Sequence, residues 1–151
     1  MTNKISIVVP VYNEESNIRI FLDRLNITLK KINEDYEIIF VLDPSTDNTE
    51  KIIKDAIKEN KKIKLITLSR KFGQPASTMA GIMNVSGDKC VIIDCDLQDP
   101  PELIYEMNMK INEGYDVVEM NQFRPGANYA VFRKPGKQNP VIYGSHELNL
   151  E

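Results

Sequence analysis

Residue types that build common catalytic and metal sites are scarce in this chain of 151 residues. It has one His, His146, two Cys and no Trp, which leaves no cluster able to bind structural zinc or to form a His-based triad. Cys90 and Cys95 lie five positions apart in one predicted strand, so their side chains should point to opposite faces and cannot pair with each other. A reducing compartment fits this composition.

The chain also lacks a strong charge of either sign and any long apolar run. Its 19 Lys and Arg residues against 22 Asp and Glu residues give a net charge of -3, which disfavours a nucleic-acid partner. The longest apolar runs, residues 5–11 and 38–42, are far shorter than the ~20 residues that cross a bilayer, and the N-terminus lacks a signal-peptide core. These features predict a soluble, cytoplasmic chain.

Two familiar phosphate-binding motifs are missing. No G-x-G-x-x-G follows the first predicted strand, and no G-x-x-x-x-G-K-[ST] occurs anywhere. The usual backbone cradles for a dinucleotide or a nucleoside triphosphate are therefore absent. This excludes an ordinary dehydrogenase or P-loop enzyme.

What the chain does have is a regular alternation of strand and helix patterns. Five β-branched apolar segments alternate with four segments of helical period, which predicts an α/β fold with a Rossmann-like, doubly wound, mostly parallel sheet and helices on both faces. The predicted strands are residues 4–11, 36–42, 63–68, 89–93 and 116–120. The predicted helices are residues 15–32, a segment around 52–57 that Asp47 can cap, 75–85 and one from Pro100-Pro101 through Ile111.

The pattern decays after about residue 123. Residues 122–151 contain three Pro and three Gly and no stripe of helical period. We therefore predict a core over residues 1–122 and a divergent, loop-like or loosely attached tail over residues 123–151.

Acidic and polar residues follow the predicted strands, where open α/β sheets bind their ligands. Asp94 and Asp96 follow the fourth strand, two positions apart, so both side chains can lie on one face. Carboxylates gathered at one edge repel each other unless a cation is present, and hard oxygen ligands suit Mg²⁺ or Mn²⁺. A bound diphosphate could complete the coordination of that ion, which would also stabilise the diphosphate as a leaving group. The alternative is a solvated pair of acids after a strand.

Other polar residues at the strand ends have two interpretations each. Asp43 is either a turn residue before Pro44 or an acceptor for the ring N–H of uracil or guanine. Tyr12 either packs half-buried or offers a flat surface beside a base. Arg70 and Lys71 are either solvated loop charges or neighbours of a diphosphate.

Four segments, in order, resemble the inverting family 2 glycosyltransferases of GT-A fold: PVYNEE, FVLDPSTDNT, LSRKFGQ and IIDCDLQDPPELI. Within that family the chain is most similar to polyprenyl-phosphate sugar transferases, the dolichol-phosphate mannose synthase type and its bacterial undecaprenyl-phosphate relatives. The resemblance runs from about residue 5 to residue 118.

The resemblance implies the role of each matching residue. Asp94 and Asp96 would be the catalytic D-x-D pair, and with Gln98 they would hold the divalent metal on the diphosphate. Arg70 and Gln74 match a loop near the sugar and the acceptor. The residues implied to bind the nucleotide sugar are Pro10, Tyr12, Asn13, Glu14, Val41, Asp43, Arg70, Gln74, Asp94, Cys95 and Asp96.

The resemblance also implies an activity and its partners. The donor would be a UDP- or GDP-sugar and the acceptor a polyprenyl phosphate at the inner face of the membrane, as in the biosynthesis of cell-envelope glycans. Family members continue with an acceptor-side segment that nothing in residues 123–151 matches. The alternative is therefore a truncated chain or pseudoenzyme that binds a nucleotide sugar without transfer. The sequence disfavours a receiver-like signalling domain, because of its D-x-D-L-Q-D run, and leaves a homo-oligomer open.

Overall fold

The structure, a computed structural model, describes residues 3–114 and the backbone of two further strands. The elements in chain order are β1 (Lys4–Val11), α1 (Ile18–Ile32), β2 (Asp35–Leu42), α2 (Thr49–Glu59), β3 (Ile63–Thr67), α3 (Gln74–Met83), β4 (Lys89–Ile92), α4 (Leu103–Asn112), β5 (Tyr129–Lys134) and β6 (Asn139–Gly144). Within the described part, no helix has the length and apolar character that crossing a bilayer requires.

The strands form one sheet in the order β3-β2-β1-β4-β6-β5. Strands β1 to β4 are parallel to one another, β6 pairs parallel with β4, and β5 pairs antiparallel with β6. The prediction of a mostly parallel α/β sheet is confirmed. Because β1 and β4 are neighbours and the order of strands reverses beside them, ligands are expected at their carboxyl ends.

Each face of the sheet carries its own core. Ile7, Val9 and Phe40 belong to the larger cluster, which residues of α1, α2 and α4 complete. Val8 and Val41 belong to the smaller cluster, where residues of α3 pack. Alternate residues of a strand point to opposite faces, so a nearly continuous apolar sequence such as β1 fills both cores. Helices on both faces are therefore as predicted.

The two cysteines show the same alternation. Cys90 lies in the smaller cluster and Cys95 in the larger one, and both are buried and outside any disulfide. The prediction that they face opposite ways and do not pair is confirmed.

The loop-like prediction for residues 122–151 is wrong for β5 and β6, which contain six residues each. Pro135 and Gly136 follow β5, and β6 itself contains Pro140 and ends at Gly144, so the sequence offers no strong local signal for either strand. The two strands pair with each other, and β6 also pairs with β4. The pairing of β6 with β4 joins residues that are distant in sequence, so no local pattern reveals it. The strand predicted at residues 116–120 lies outside the described residues, and the division at residue 122 stays a prediction.

A close approach of α3 to the sheet gives a first testable prediction. A Cβ at Gly81 would overlap Cγ1 of Val8 and lie 3.1 Å from Cγ2 of Val41, and both valines are fully buried. We expect Gly81→Ala to lower the free energy of unfolding by about 1–3 kcal/mol despite the better helix propensity of Ala, measured by urea denaturation.

The matched control lies on the same helix. Met83 at the end of α3 is 80% exposed, so Met83→Ala should change the free energy of unfolding by less than about 0.5 kcal/mol. A Gly81→Ala variant as stable as the wild type would contradict the tight packing of α3.

Candidate active site

A cleft of about 190 Å³ opens at the carboxyl ends of β1, β2 and β4, beside the first turn of α3. Its position follows from the parallel strands, whose carboxyl ends meet at one edge of the sheet. The lining residues are Pro10, Val11, Tyr12, Glu14, Asp43, Gln74, Ser77, Asp94, Cys95 and Asp96.

Eight of these ten lining residues are among the eleven that the sequence predicts to bind a nucleotide sugar. The structure does not bring the other three to the cleft. Val41 is fully buried in the core under α3, because alternation along β2 turns its side chain inward. Arg70 is exposed and turned towards Phe72, with its guanidinium carbon 4.7 Å from the ring centroid. Asn13 lies beside the cleft in a structural role.

That role is to join the loops after β1 and β2. Asn13 adopts a left-handed backbone with φ 52°, and its Oδ1 accepts the backbone N–H of Thr46 at 2.9 Å. In return, the backbone N–H of Asn13 donates to Oγ of Ser45 at 3.0 Å. The side chain of Asn is short and polar, which lets it adopt this conformation at low cost. The loop that bears Tyr12 and Glu14 is thereby fixed to the loop after β2.

Asp43 has a third role beyond the two that the sequence suggests. Its carboxylate is only 3% exposed and accepts the backbone N–H of Phe72 at 3.1 Å and of Gly73 at 3.0 Å. Gly73 has φ 89°, a conformation that favours glycine, and directly precedes α3. Asp43 therefore anchors the loop between β3 and α3. A carboxylate has about four lone-pair directions, so it can still accept a ligand N–H.

Asp94 and Asp96 both line the cleft, as expected for a strand end. Oδ1 of Asp94 accepts a hydrogen bond of 2.8 Å from the side-chain amide of Gln74, and Oδ1 of Asp96 accepts the backbone N–H of Gln98 at 3.0 Å. Leu97, which directly follows Asp96, has φ 65°, a conformation that is strained for a residue with a Cβ. Such strain is typical of functional loops.

The donor set at this point suits a divalent cation. Two carboxylates are hard oxygen ligands of the kind that Mg²⁺ and Mn²⁺ prefer, and they leave positions for oxygens of a bound ligand. Within the described residues, no group of three or more His, Cys, Asp or Glu side chains could hold a metal by itself. Gln98, predicted as a third protein ligand, is exposed and does not line the cleft. The residues thus fit an ion shared with a diphosphate.

Negative charge concentrates at this end of β4. Burial together with the charges of Asp94 and Asp96 raises the pKa of Asp99 to about 7. Burial and the charges of Glu14, Asp94 and Asp96 raise the pKa of the Cys95 thiol well above its usual range. The thiol stays neutral at physiological pH, so Cys95 is not a nucleophile. The local field favours a cation in the cleft.

Three features of the site were missed by the sequence prediction. Val11 lines the cleft next to two predicted residues, and Ser77 lines it from the first turn of α3. Nζ of Lys71 lies 3.8 Å from the ring centroid of Tyr12. Helical spacing could have found Ser77, which is three residues after Gln74, whereas the position of Lys71 depends on loop geometry that the sequence pattern does not contain.

A mostly parallel sheet with an acidic cleft at the carboxyl ends of its strands is the architecture of the GT-A glycosyltransferases, and this chain shares it with solved structures of that class. The family model described as glycosyl transferase family 2 matches residues 6–149, and the chain belongs to that family. The resemblance inferred from the four sequence segments is confirmed.

The chain is similar to curated glycosyltransferases over most of its length. The chain is 47% identical over 118 residues to an uncharacterized glycosyltransferase of Synechocystis, covering 78% of this chain and 37% of the relative. It is 42% identical over 118 residues to the undecaprenyl-phosphate 4-deoxy-4-formamido-L-arabinose transferase of Proteus mirabilis, covering 77% of this chain and 36% of the relative. The chain thus spans little more than a third of the length of these relatives.

Two solved structures share the fold. TarS of Staphylococcus aureus in complex with UDP-GlcNAc has a TM-score of 0.59 and 26% identity, covering 82% of this chain and 39% of TarS. Glucosyl-3-phosphoglycerate synthase of Mycobacterium tuberculosis in complex with Mn²⁺, UDP and phosphoglyceric acid has a TM-score of 0.61 and 22% identity, covering 78% of this chain and 42% of the synthase.

Proposed function

We propose that the cleft binds a nucleotide-diphosphate sugar and that the chain contributes the donor site of a metal-assisted, inverting glycosyltransferase. The observation that carries this proposal is the convergence of eight predicted binding residues, including Asp94 and Asp96, on one cleft. Membership of family 2 and the likeness to TarS in complex with UDP-GlcNAc support it. Either UDP or GDP fits the proposal.

In this proposal each part of the cleft has a task. Asp43 accepts a ring N–H of the base beside Tyr12, and Gln74 keeps the carboxylate of Asp94 oriented through its hydrogen bond of 2.8 Å. Asp94 and Asp96 would hold Mg²⁺ or Mn²⁺. When bound, such an ion would supply Lewis-acid chemistry, which stabilises negative charge on a leaving diphosphate.

For the acceptor we propose a polyprenyl phosphate at the inner face of the membrane. The Proteus mirabilis relative, named as an undecaprenyl-phosphate transferase, supports this choice. The acceptor oxygen attacks the anomeric carbon from the face opposite the diphosphate, so one displacement inverts that carbon. A phosphate monoester has its second pKa near ~6 and is already an anion at neutral pH, so it needs no general base. The product would serve the biosynthesis of cell-envelope glycans.

A calorimetric titration tests the donor site. We expect the purified chain to bind one of UDP and GDP, and to bind it more tightly with Mn²⁺ than with EDTA, because the ion screens the diphosphate from the carboxylates of the cleft. The other nucleotide serves as the control for base recognition. If neither nucleotide binds with Mn²⁺, the proposed donor site is wrong.

Transfer to a lipid acceptor separates this proposal from its alternative, a nucleotide-sugar-binding fragment or pseudoenzyme without transfer activity. We expect weak or no transfer of labelled sugar to undecaprenyl phosphate by these 151 residues alone, because they span little more than a third of the length of the curated relatives. The control is a reaction without the lipid phosphate, which reports hydrolysis of the donor. Robust transfer would contradict this expectation and exclude the alternative.

A further inference from the structure

The cleft has an unbalanced charge. Glu14, Asp43, Asp94 and Asp96 all line it, and none of the described residues that line it is Lys, Arg or His. A nucleoside diphosphate would add at least two more negative charges, while one divalent ion supplies only two positive ones. The binding of such a ligand therefore requires a further cation from the rim of the cleft.

Among the described residues, Arg70 and Lys71 are the two cations in the loop between β3 and α3, beside the cleft, and the structure distinguishes between them. Arg70 stacks on Phe72, and neither residue lines the cleft. Nζ of Lys71 lies 3.8 Å from the ring centroid of Tyr12, which does line the cleft. The ammonium group of Lys71 thus lies against a residue of the cleft, whereas the guanidinium of Arg70 lies against a residue outside it.

The backbone next to Lys71 is fixed, but its side chain can move. Asp43 accepts the N–H groups of Phe72 and Gly73, which determines where the loop passes. The side chain of Lys71 is exposed, and a cation–π contact at an exposed site is weak. Lys is a flexible point charge that binds phosphate well, so it can exchange the ring of Tyr12 for a stronger anionic partner.

We propose that Lys71, rather than Arg70, is the side chain that binds the diphosphate of the donor, moving from its place over Tyr12. This assignment rests on the proposed function, since it requires a nucleotide in the cleft. It also changes the expectation for Tyr12: one face of its ring is covered by Lys71 until the ligand arrives, so binding of the diphosphate uncovers that face.

The test compares Lys71→Met with Arg70→Met, since Met keeps the unbranched apolar stem without the charge. Each variant is titrated calorimetrically with UDP, UMP and uridine, or with the guanine series if GDP is the nucleotide that binds. We expect Lys71→Met to weaken binding of the diphosphate about tenfold, because a charge-assisted hydrogen bond is lost. Binding of the nucleoside should change by less than about twofold, and Arg70→Met should behave like the wild type. Lys71→Arg should restore most of the affinity.

Four outcomes would overturn the assignment. Equal losses for uridine and UDP in Lys71→Met would mean that Lys71 contacts the base or supports Tyr12 only. Equal effects of Lys71→Met and Arg70→Met would mean a general effect of positive charge. If Lys71→Met binds UDP as tightly as the wild type, Lys71 does not contact the diphosphate, while the proposed function would stand. If the wild type binds no nucleotide at all, the proposed function fails and this assignment fails with it.

Discussion

Replacing Asp96 with Asn is expected to weaken binding of UDP or GDP in the presence of Mn²⁺ by about 100-fold. Loss of a residue that only supports a metal ligand typically costs 10- to 100-fold, so loss of a ligand charge should reach at least the upper end of that range. Asn keeps an Oδ1 that can accept the N–H of Gln98, which holds the loop at 3.0 Å in the wild type. The substitution therefore removes the charge with little effect on the fold. Calorimetric titration with UDP or GDP, in Mn²⁺ and in EDTA, measures the change in affinity.

The chain offers a matched control three residues away. Asp99 does not line the cleft, and its raised pKa of about 7 leaves it partly protonated at neutral pH. Asp99→Asn should therefore change nucleotide affinity by less than about threefold. Both variants should melt within a few degrees of the wild type. Equal affinity of Asp96→Asn and wild type in Mn²⁺ would remove Asp96 from the proposed metal site.

Much of the cleft could be predicted because its residues directly follow strands, so their place depends only on where each strand ends. Asp43 directly follows β2 and Asp94 nearly follows β4, and the carboxyl ends of parallel strands meet at one edge. Any sequence that specifies the parallel order of these strands also brings their last polar residues together. Alternation along β2 similarly determines that Val41 points into the core, although the family resemblance suggests a place near the nucleotide.

The contacts of the loop before α3 could not be predicted in this way. Asp43 bonds to Phe72 and Gly73, about thirty positions along the chain, and Lys71 reaches Tyr12 across a still larger separation. These contacts depend on the loop conformation, including φ 89° at Gly73. No local pattern encodes which of two adjacent cations turns towards the cleft. The sequence therefore predicts where the site is, but not how its rim is arranged.

Glu37 is a second feature that no local pattern reveals, because every partner of its side chain is distant in sequence. It lies near the beginning of β2, at the end of the sheet opposite the cleft, and is 1% exposed. Its carboxylate accepts hydrogen bonds from Ser6 Oγ at 2.6 Å, Lys64 Nζ at 2.6 Å and the backbone N–H of Ser86 at 2.7 Å. Lys4 adds an ion pair at 3.4 Å. One carboxylate thus joins β1, β2, β3 and the turn before β4.

Glu37→Gln is expected to lower the free energy of unfolding at pH 7 by about 2–3 kcal/mol. The reason is that Gln carries no charge and its amide group cannot accept from Ser6, Lys64 and Ser86 together. The loss is smaller than for a fully buried ion pair, because Lys64 is half exposed and its ammonium group can return to water. Urea denaturation measures the loss of stability. The isosteric control is Glu59→Gln, at an exposed ion pair with Arg19, for which we expect a change below about 0.5 kcal/mol.

The pH dependence distinguishes this role from simple packing. Burial alone would raise the pKa of Glu37, but hydrogen bonds from Lys64, Ser6 and Ser86 outweigh it and lower the pKa to about 2. A carboxyl with a lowered folded pKa stabilises the protein fully above its unfolded pKa of about 4.5, and this contribution is lost as the pH falls towards 2. The stability difference between wild type and Glu37→Gln should therefore shrink between pH 5 and pH 2. A difference that stays constant over that range would mean that the shape of the Glu37 side chain, rather than its charge, accounts for its contribution to stability.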